Sequence, residues 1–223
     1  MTRTGSAAAC ASKAFSTSCR DCPRLAKFLD DVRNEHPGYF SRPVPPFGDP
    51  APRLLVVGLA PGMHGANRSG RPFTGDFAGI LLYKTLHKFG FATRPESVSA
   101  DDGLTLTGCR ITNAVRCLPP ENKPTGDEVR RCNGYLAAEL QGLEEGTAVL
   151  ALGGIAHKAV LTASGEKAGA HKFAHAAQQR LGNGLMLFDS YHCSRYNTQT
   201  RRLTADMFEQ VFTLIGRYLR TRT

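Results

Sequence analysis

The chain has 223 residues, enough for one domain or one domain with an elaborated end, and its 41% hydrophobic content excludes global disorder. Lysine and arginine number 28 against 19 aspartates and glutamates, a net charge of +9 that suits a polyanionic partner without naming one. No apolar stretch approaches the roughly 20 residues of a membrane span. The small, polar start MTRTGSAAACASKAF lacks the apolar core of a signal peptide, so a bacterial cytosolic protein away from membranes is expected.

Residues 1–17 show no periodic apolar pattern and are expected to be disordered, leaving 18–223 as a single domain. A CxxC turn, Cys19 and Cys22, then runs into an amphipathic helix from about Pro23 to Glu35, with Leu25, Phe28, Leu29 and Val32 on one face. Residues 36–52 are rich in proline and read as an extended connector. Arg53–Leu59 reads as a buried strand, 60–76 as a glycine- and proline-rich loop, and Phe77–Phe89 as a helix. Cys109–Val115 is a second strand, followed by a helix over Thr125–Leu143 whose Thr125 and Glu128 are spaced as a capping box. Ala148–Gly153 is a third strand, Ile155–Leu161 a helix, Leu185–Asp189 a fourth strand and Thr204–Leu219 a closing helix.

Strands that are apolar at nearly every position and alternate with helices imply a parallel sheet covered on both faces. In such sheets function collects in the loops after the carboxyl ends of the strands. Here those loops are 60–76, 113–124, 153–155 and 190–201, the most unusual segments of the chain.

Seven cysteines, an odd number without an export signal, argue against a disulfide framework. Cys19 and Cys22 can hold one centre, and Cys117 and Cys132 can complete four ligands. The spacing leaves zinc, an iron–sulfur cluster and ordinary buried thiols open.

The loop GLAPGMHGANRSGRPFTGD lets backbone approach a ligand, and it matches neither the P-loop nor the GxGxxG pattern, so nucleotide phosphate is not its natural partner. Phe73 in it can stack a planar base or anchor the core. Asp76 begins the following helix, where an acidic residue is favoured at least by the helix dipole. Asn113 sits near the carboxyl end of a buried strand, where an amide either ties down a loop or reads a ligand's amide edge. The segment DSYHCSRYNTQTRR joins hydroxyls, amides and guanidiniums around His192; on composition it is a polar surface turn or a set of phosphate contacts.

Taken together, GLAPG, GRPFTGD, ITNAVRCLPPENKPT, the SYH-SR-NTQT loop and the four cysteines resemble the uracil-DNA glycosylase superfamily. Within it the chain is most similar to the iron–sulfur, broad-specificity branch called family 5 or type B, from about Cys19 to the last helix. The resemblance implies a three-layer α/β/α sandwich on a four-stranded parallel sheet, with a structural [4Fe-4S] cluster on Cys19, Cys22, Cys117 and Cys132. It implies a monofunctional glycosylase, a monomer acting on double-stranded DNA in base-excision repair, that flips a damaged base into a pocket and hydrolyses its glycosidic bond. Phe73, with the backbone at Ala60 and Gly62, would hold the base and Asn113 would face its polar edge. His192 would stabilise the leaving base and Asp76 would position the attacking water. Arg68, Ser190, Ser194, Arg195, Tyr196 and Asn197 would meet DNA, Tyr196 as a wedge in the vacated space. Uracil, hypoxanthine and xanthine are the substrates so implied. A strictly uracil-specific glycosylase and a non-catalytic metal-containing DNA-binding protein are the alternatives.

Two positions depart from the pattern. Leu59 stands where uracil-restricted iron–sulfur relatives carry an acid, which leaves Asp76 as the water-activating group. Cys193 stands where relatives commonly have proline or an aliphatic residue. A thiol nucleophile there is disfavoured because the hydrolysis needs no covalent intermediate. No pocket lysine is evident, so no lyase step is expected.

Overall fold

Segments that are apolar at every position cannot turn a face to water, and they end inside a sheet covered on both sides. The computed structural model describes residues 14–167 and 169–221. In chain order its elements are α1 (Pro23–Glu35), β1 (Phe47–Gly48), β2 (Leu54–Gly58), α2 (Ala66–Ser69), α3 (Phe77–Lys88) and β3 (Cys109–Asn113). A 3-10 turn at Pro120–Asn122 leads to α4 (Gly126–Gln141), β4 (Ala148–Leu152), α5 (Gly154–Ala163), β5 (Gln178–Arg180), β6 (Met186–Ser190), α6 (Arg195–Gln199) and α7 (Ala205–Arg220).

The sheet runs β1-β3-β2-β4-β6-β5. Its four inner strands are parallel, as the apolar runs require, with Val56 beside Ile111 and Leu150 and with Leu150 beside Phe188. The expectation of four strands is corrected at both edges, where short antiparallel strands make the sheet six-stranded and mixed. Phe47–Gly48 lies in the proline-rich connector and Gln178–Arg180 is wholly polar, so neither carries the apolar run by which the inner strands are recognised. Both are short, as protected edges tend to be.

Alternation divides the core into two layers. Leu54, Val56, Ile111, Leu150 and Phe188 face α3 and α7, where Leu82, Leu86, Phe208, Phe212 and Ile215 meet them. Leu55, Val57, Val149, Ala151 and Leu187 face α4 and α5, against Leu136, Leu140, Ala156 and Val160. Helix α1 stands outside these layers. Its Leu25 packs with Val115, Cys132 and Tyr135, and its Leu29 and Val32 pack with Leu118. The Thr125–Glu128 capping box forms with both halves present. Thr204 caps α7 and Asp76 caps α3, contacts worth about 1 kcal/mol each.

Residues 1–13, which carry Cys10 and most of the segment expected to be disordered, lie outside the described residues. Phe15, just after them, packs edge-on against Tyr135 with ring centroids 5.6 Å apart. No described helix is long and apolar enough to cross a membrane.

Candidate active site and four-cysteine corner

The carboxyl ends of β2, β3 and β6 surround a pocket of about 380 Å³ lined by Leu59, Ala60, Gly62, Phe73, Asp76, Asn113, Asn122, His192, Ser194 and Arg195, among others. Its floor depends on Gly58. A Cβ there would fall 2.4 Å from Asn113 Oδ1 and 2.6 Å from a Phe73 ring carbon. The missing side chain is what lets an aromatic ring and an amide converge on the strand end. Phe73 is buried and holds a left-handed backbone, φ 55°, a strained conformation of the kind found at binding sites. Its ring lies nearly parallel to that of His192, centroids 6.0 Å apart.

Asn113 is 3% exposed, and its Oδ1 has no hydrogen-bond partner among the described residues. A buried acceptor left unpaired costs about 1–3 kcal/mol. An arriving donor such as a base N–H would recover that cost.

Asp76 is held by its own helix. Its Oδ1 accepts from Gly79 N–H at 2.8 Å. Its Oδ2 turns toward the loop after β2, where a Cβ on Gly65 would sit 2.7 Å from it. Burial raises the Asp76 carboxyl above the usual range, and the Gly79 and Ala78 amides oppose that rise. The result is a carboxylate more basic than a surface one.

His192 is pushed down to about 4 by burial, so it is a neutral imidazole at pH 7. Its loop is fixed from two sides. Asn197 Nδ2 donates to the His192 carbonyl at 2.8 Å, and the Gly153 backbone comes close to the His192 Cβ. Behind it, Asp189 of β6 meets His157 Nδ1 at 2.9 Å, and both residues are buried. Burial raises Asp189 to about 6 despite the hydrogen bond from His157.

The other expected residues are dispersed. Ser194 caps α6, Arg195 lies 5.1 Å over the Phe77 ring at the pocket lip, and Tyr196 is 70% exposed on the same short helix. Ser190 is buried, its hydroxyl donating to the Tyr191 carbonyl. Arg68 is exposed and lies against Gly75, off the pocket lining. Cys193 is fully buried, and burial raises its thiol, the opposite of what a nucleophile needs.

Asn122 and Gly65 were not anticipated. Asn122 lines the pocket with φ 58°, next to Glu121 at φ 53°. An asparagine soon after Pro-Pro is a turn signal, and asparagine tolerates the left-handed region better than most residues. That signal marks a turn and says nothing of which cavity the turn closes.

Four residues beyond Asn113 the chain reaches a second, smaller cavity. Cys19, Cys22, Cys117 and Cys132 all line it, with Leu25, Val115 and Tyr135. All four are thiols. Cys132 Sγ accepts from Arg116 N–H at 3.3 Å. Among the described residues no three His, Cys, Asp or Glu side chains are gathered closely enough to hold a single metal ion. Four thiols at one small cavity are nonetheless the soft donor set that a thiophilic metal centre takes. Burial pushes the Cys132 thiol up to about 11, so thiolates there call for a cationic partner.

Comparison with known proteins agrees with this geometry. Residues 45–215 match the model of the uracil DNA glycosylase superfamily. The chain is 50% identical over 202 residues to a type-5 uracil-DNA glycosylase of Thermus thermophilus, covering 87% of this chain and 91% of that protein. It is 42% identical over 198 residues to a type-5 uracil-DNA glycosylase of Pyrobaculum aerophilum, covering 87% and 86%. It is 41% identical over 217 residues to one of Mycobacterium tuberculosis, covering 93% and 81%. The chain belongs to the uracil DNA glycosylase superfamily.

Proposed function

We propose that this protein is a monofunctional DNA glycosylase of base-excision repair, which hydrolyses uracil, and also hypoxanthine and xanthine, from double-stranded DNA and leaves an abasic site. The observation that carries the reading is the unpaired Asn113 Oδ1, held in one pocket with a half-buried carboxylate, Asp76, and a neutral imidazole, His192. The shared name of the relatives supports uracil as the substrate.

Base chemistry supports the breadth. Deamination turns an acceptor nitrogen beside an amino group into an N–H beside a carbonyl. Uracil, hypoxanthine and xanthine all present that edge, and an amide can accept from the N–H and donate to the carbonyl. Cytosine and adenine present the reverse pattern and would leave Asn113 Oδ1 facing a lone pair. Ala60 and Gly62 leave room for a purine.

The bond that breaks joins the sugar C1′ to the base nitrogen. Positive charge develops on the sugar and negative charge on the base. The His192 N–H donates to the base oxygen where that charge collects, a contact that strengthens toward the transition state. The ionised Asp76 offsets the sugar cation, orients water toward C1′ through Oδ2 and takes its proton as the new C–O bond forms. Burial serves both groups: it makes Asp76 a better base and keeps His192 a neutral donor. The buried Cys193 thiol has no part in the step.

Cys19, Cys22, Cys117 and Cys132 would hold a [4Fe-4S] cluster, which supplies covalent cross-links between the start of α1, the tail of β3 and α4, and no reacting group. The Arg195-Tyr196 turn would meet the flanking duplex.

The test is base release from a duplex bearing one uracil. A strand break seen only after alkali is expected, and hypoxanthine in place of uracil should give the same product. A break without alkali would show a lyase step and overturn the monofunctional reading. No release of any deaminated base from folded protein would overturn the enzyme.

A further inference from the structure

Only a few large hydrophobic side chains are strongly exposed among the described residues: Ile80, Val98, Ile155 and Tyr196. Their placement is uneven. Ile80, Ile155 and Tyr196 each lie near the start of a helix that follows an inner strand, and the Val98 carbonyl approaches Gly75 at the start of α3. All four therefore stud the end of the sheet that carries the pocket. Exposed apolar groups of this kind matter where they gather around a groove.

Two of them flank a second hollow of about 510 Å³. Gly75, Phe77, Ile80, Glu96, Ser97 and Val98 line it, and Asp76 and Arg195 wall both this hollow and the base pocket. The hollow is thus continuous with the site where DNA would be opened.

Its outer wall is rigid. Asp102 Oδ1 pairs with the buried Arg71 at 2.7 Å and accepts from Leu104 N–H, while its Oδ2 accepts from Val98 N–H at 2.8 Å. Ser97 Oγ bonds Thr74 Oγ1 at 2.7 Å, and the Ser97 carbonyl accepts from Gly75 N–H. A loop with an exposed valine at its tip is thereby clamped to the residues just before Asp76. Such bracing keeps the tip from folding back over its own apolar group.

We propose that Ile80 and Val98 form a second DNA contact that seats deoxyribose edges of the minor groove beside the extruded nucleotide. The inference rests on the glycosylase reading. Sugar C–H edges offer apolar surface, and apolar side chains are among those that minor-groove-binding proteins bring to the duplex. Charge sets the orientation of the strand: Arg195 on the shared wall attracts a phosphate, and Glu96 on the far side repels one.

Replacing Val98 with a photoreactive benzoylphenylalanine tests the placement directly. Irradiated with a duplex carrying an uncleavable abasic analogue, it should attach to nucleotides next to the lesion. Attachment spread evenly along the duplex, or none, overturns the proposal. The Ile80→Ser/Val98→Ser variant should bind that duplex about tenfold more weakly, a loss of about 1.4 kcal/mol. Its unfolding temperature should match the parent, because both side chains are exposed. Unchanged affinity overturns the proposal. The parent protein separates the two failures: uracil release without lesion-adjacent attachment sinks the contact alone. Attachment without release of any deaminated base sinks the glycosylase reading and leaves a DNA-binding surface.

Discussion

The base pocket and the cysteine corner hang from the same strand, four residues apart, and they are built by opposite rules. At Asn113 the chain holds groups in costly states: an unpaired amide oxygen, a half-buried carboxylate, a left-handed phenylalanine. On the proposed reading a visiting base relieves the first of these costs, by donating to Asn113 Oδ1. At Cys117 and Cys132 the donors are four thiols around a small cavity, which Leu25, Val115 and Tyr135 share with Arg20, Arg116 and Arg131. That arrangement suits a resident centre which is part of the fold. On the proposed reading one region would store strain for turnover, and the other would spend its binding energy on staying folded.

The largest expected effect attacks the resident side. Cys117→Ser should lose the brown colour of an iron–sulfur protein, and iron analysis should fall together with the unfolding temperature. A variant that keeps its stability without iron would erase the contrast. Asp76→Asn tests the strained side and should slow base release by roughly 10²–10⁴-fold while keeping affinity for an abasic duplex. It should also unfold at a higher temperature at pH 7. Burial raises the folded carboxyl, so ionisation above the unfolded value costs stability, and the amide has no such cost. A calorimetric scan beside the kinetic assay checks both.

His192→Ala should lose roughly 10²–10³-fold in the same single-turnover assay, the usual loss of one preorganised donor. It should also blunt acid sensitivity. The folded imidazole sits at about 4 and the unfolded one near 6.5, so the unfolded chain takes the proton first. Stability therefore falls as pH drops from about 6.5 toward 4. Urea titrations at pH 7 and pH 5 should show a smaller difference in the variant than in the parent. The smallest effect belongs to Gly65→Ala, whose new methyl collides with Asp76 Oδ2. It should cost about tenfold in the chemical step, in line with the sensitivity of rate to small misplacements, and leave duplex affinity alone.

Legibility in the sequence divides along the same line. The four inner strands and their helices could be read because apolar runs and a capping box are local patterns. The four cysteines could be grouped because thiols at such spacing have few uses. The edge strands could not be read, since Phe47–Gly48 and Gln178–Arg180 pair only because a neighbour offers an open edge. In the pocket, Phe73, Asp76, Asn113 and His192 gained roles from the resemblance alone. Their residue types are ordinary, and their meaning lies in a convergence across distant segments. Asn122 escaped for that reason, although its turn was announced by Pro119 and Pro120. Gly58 was visible as a strand end, but the ring and amide that need its missing side chain come from two other segments.

The glycines around the pocket differ in how freely they could vary over descent. Gly58 is closed to change, because any side chain strikes both Phe73 and Asn113. At Gly62 a Cβ would lie 4.0 Å from Asp76 Oδ2, an ordinary contact, and the backbone does not demand glycine. One methyl there would shrink the cavity beside the base and meet Asp76 Oδ2 at contact distance without displacing it. The range of bases accepted can thus drift by single substitutions while the chemical machinery stays still, so a repair enzyme of this design can be retuned to a different burden of damage.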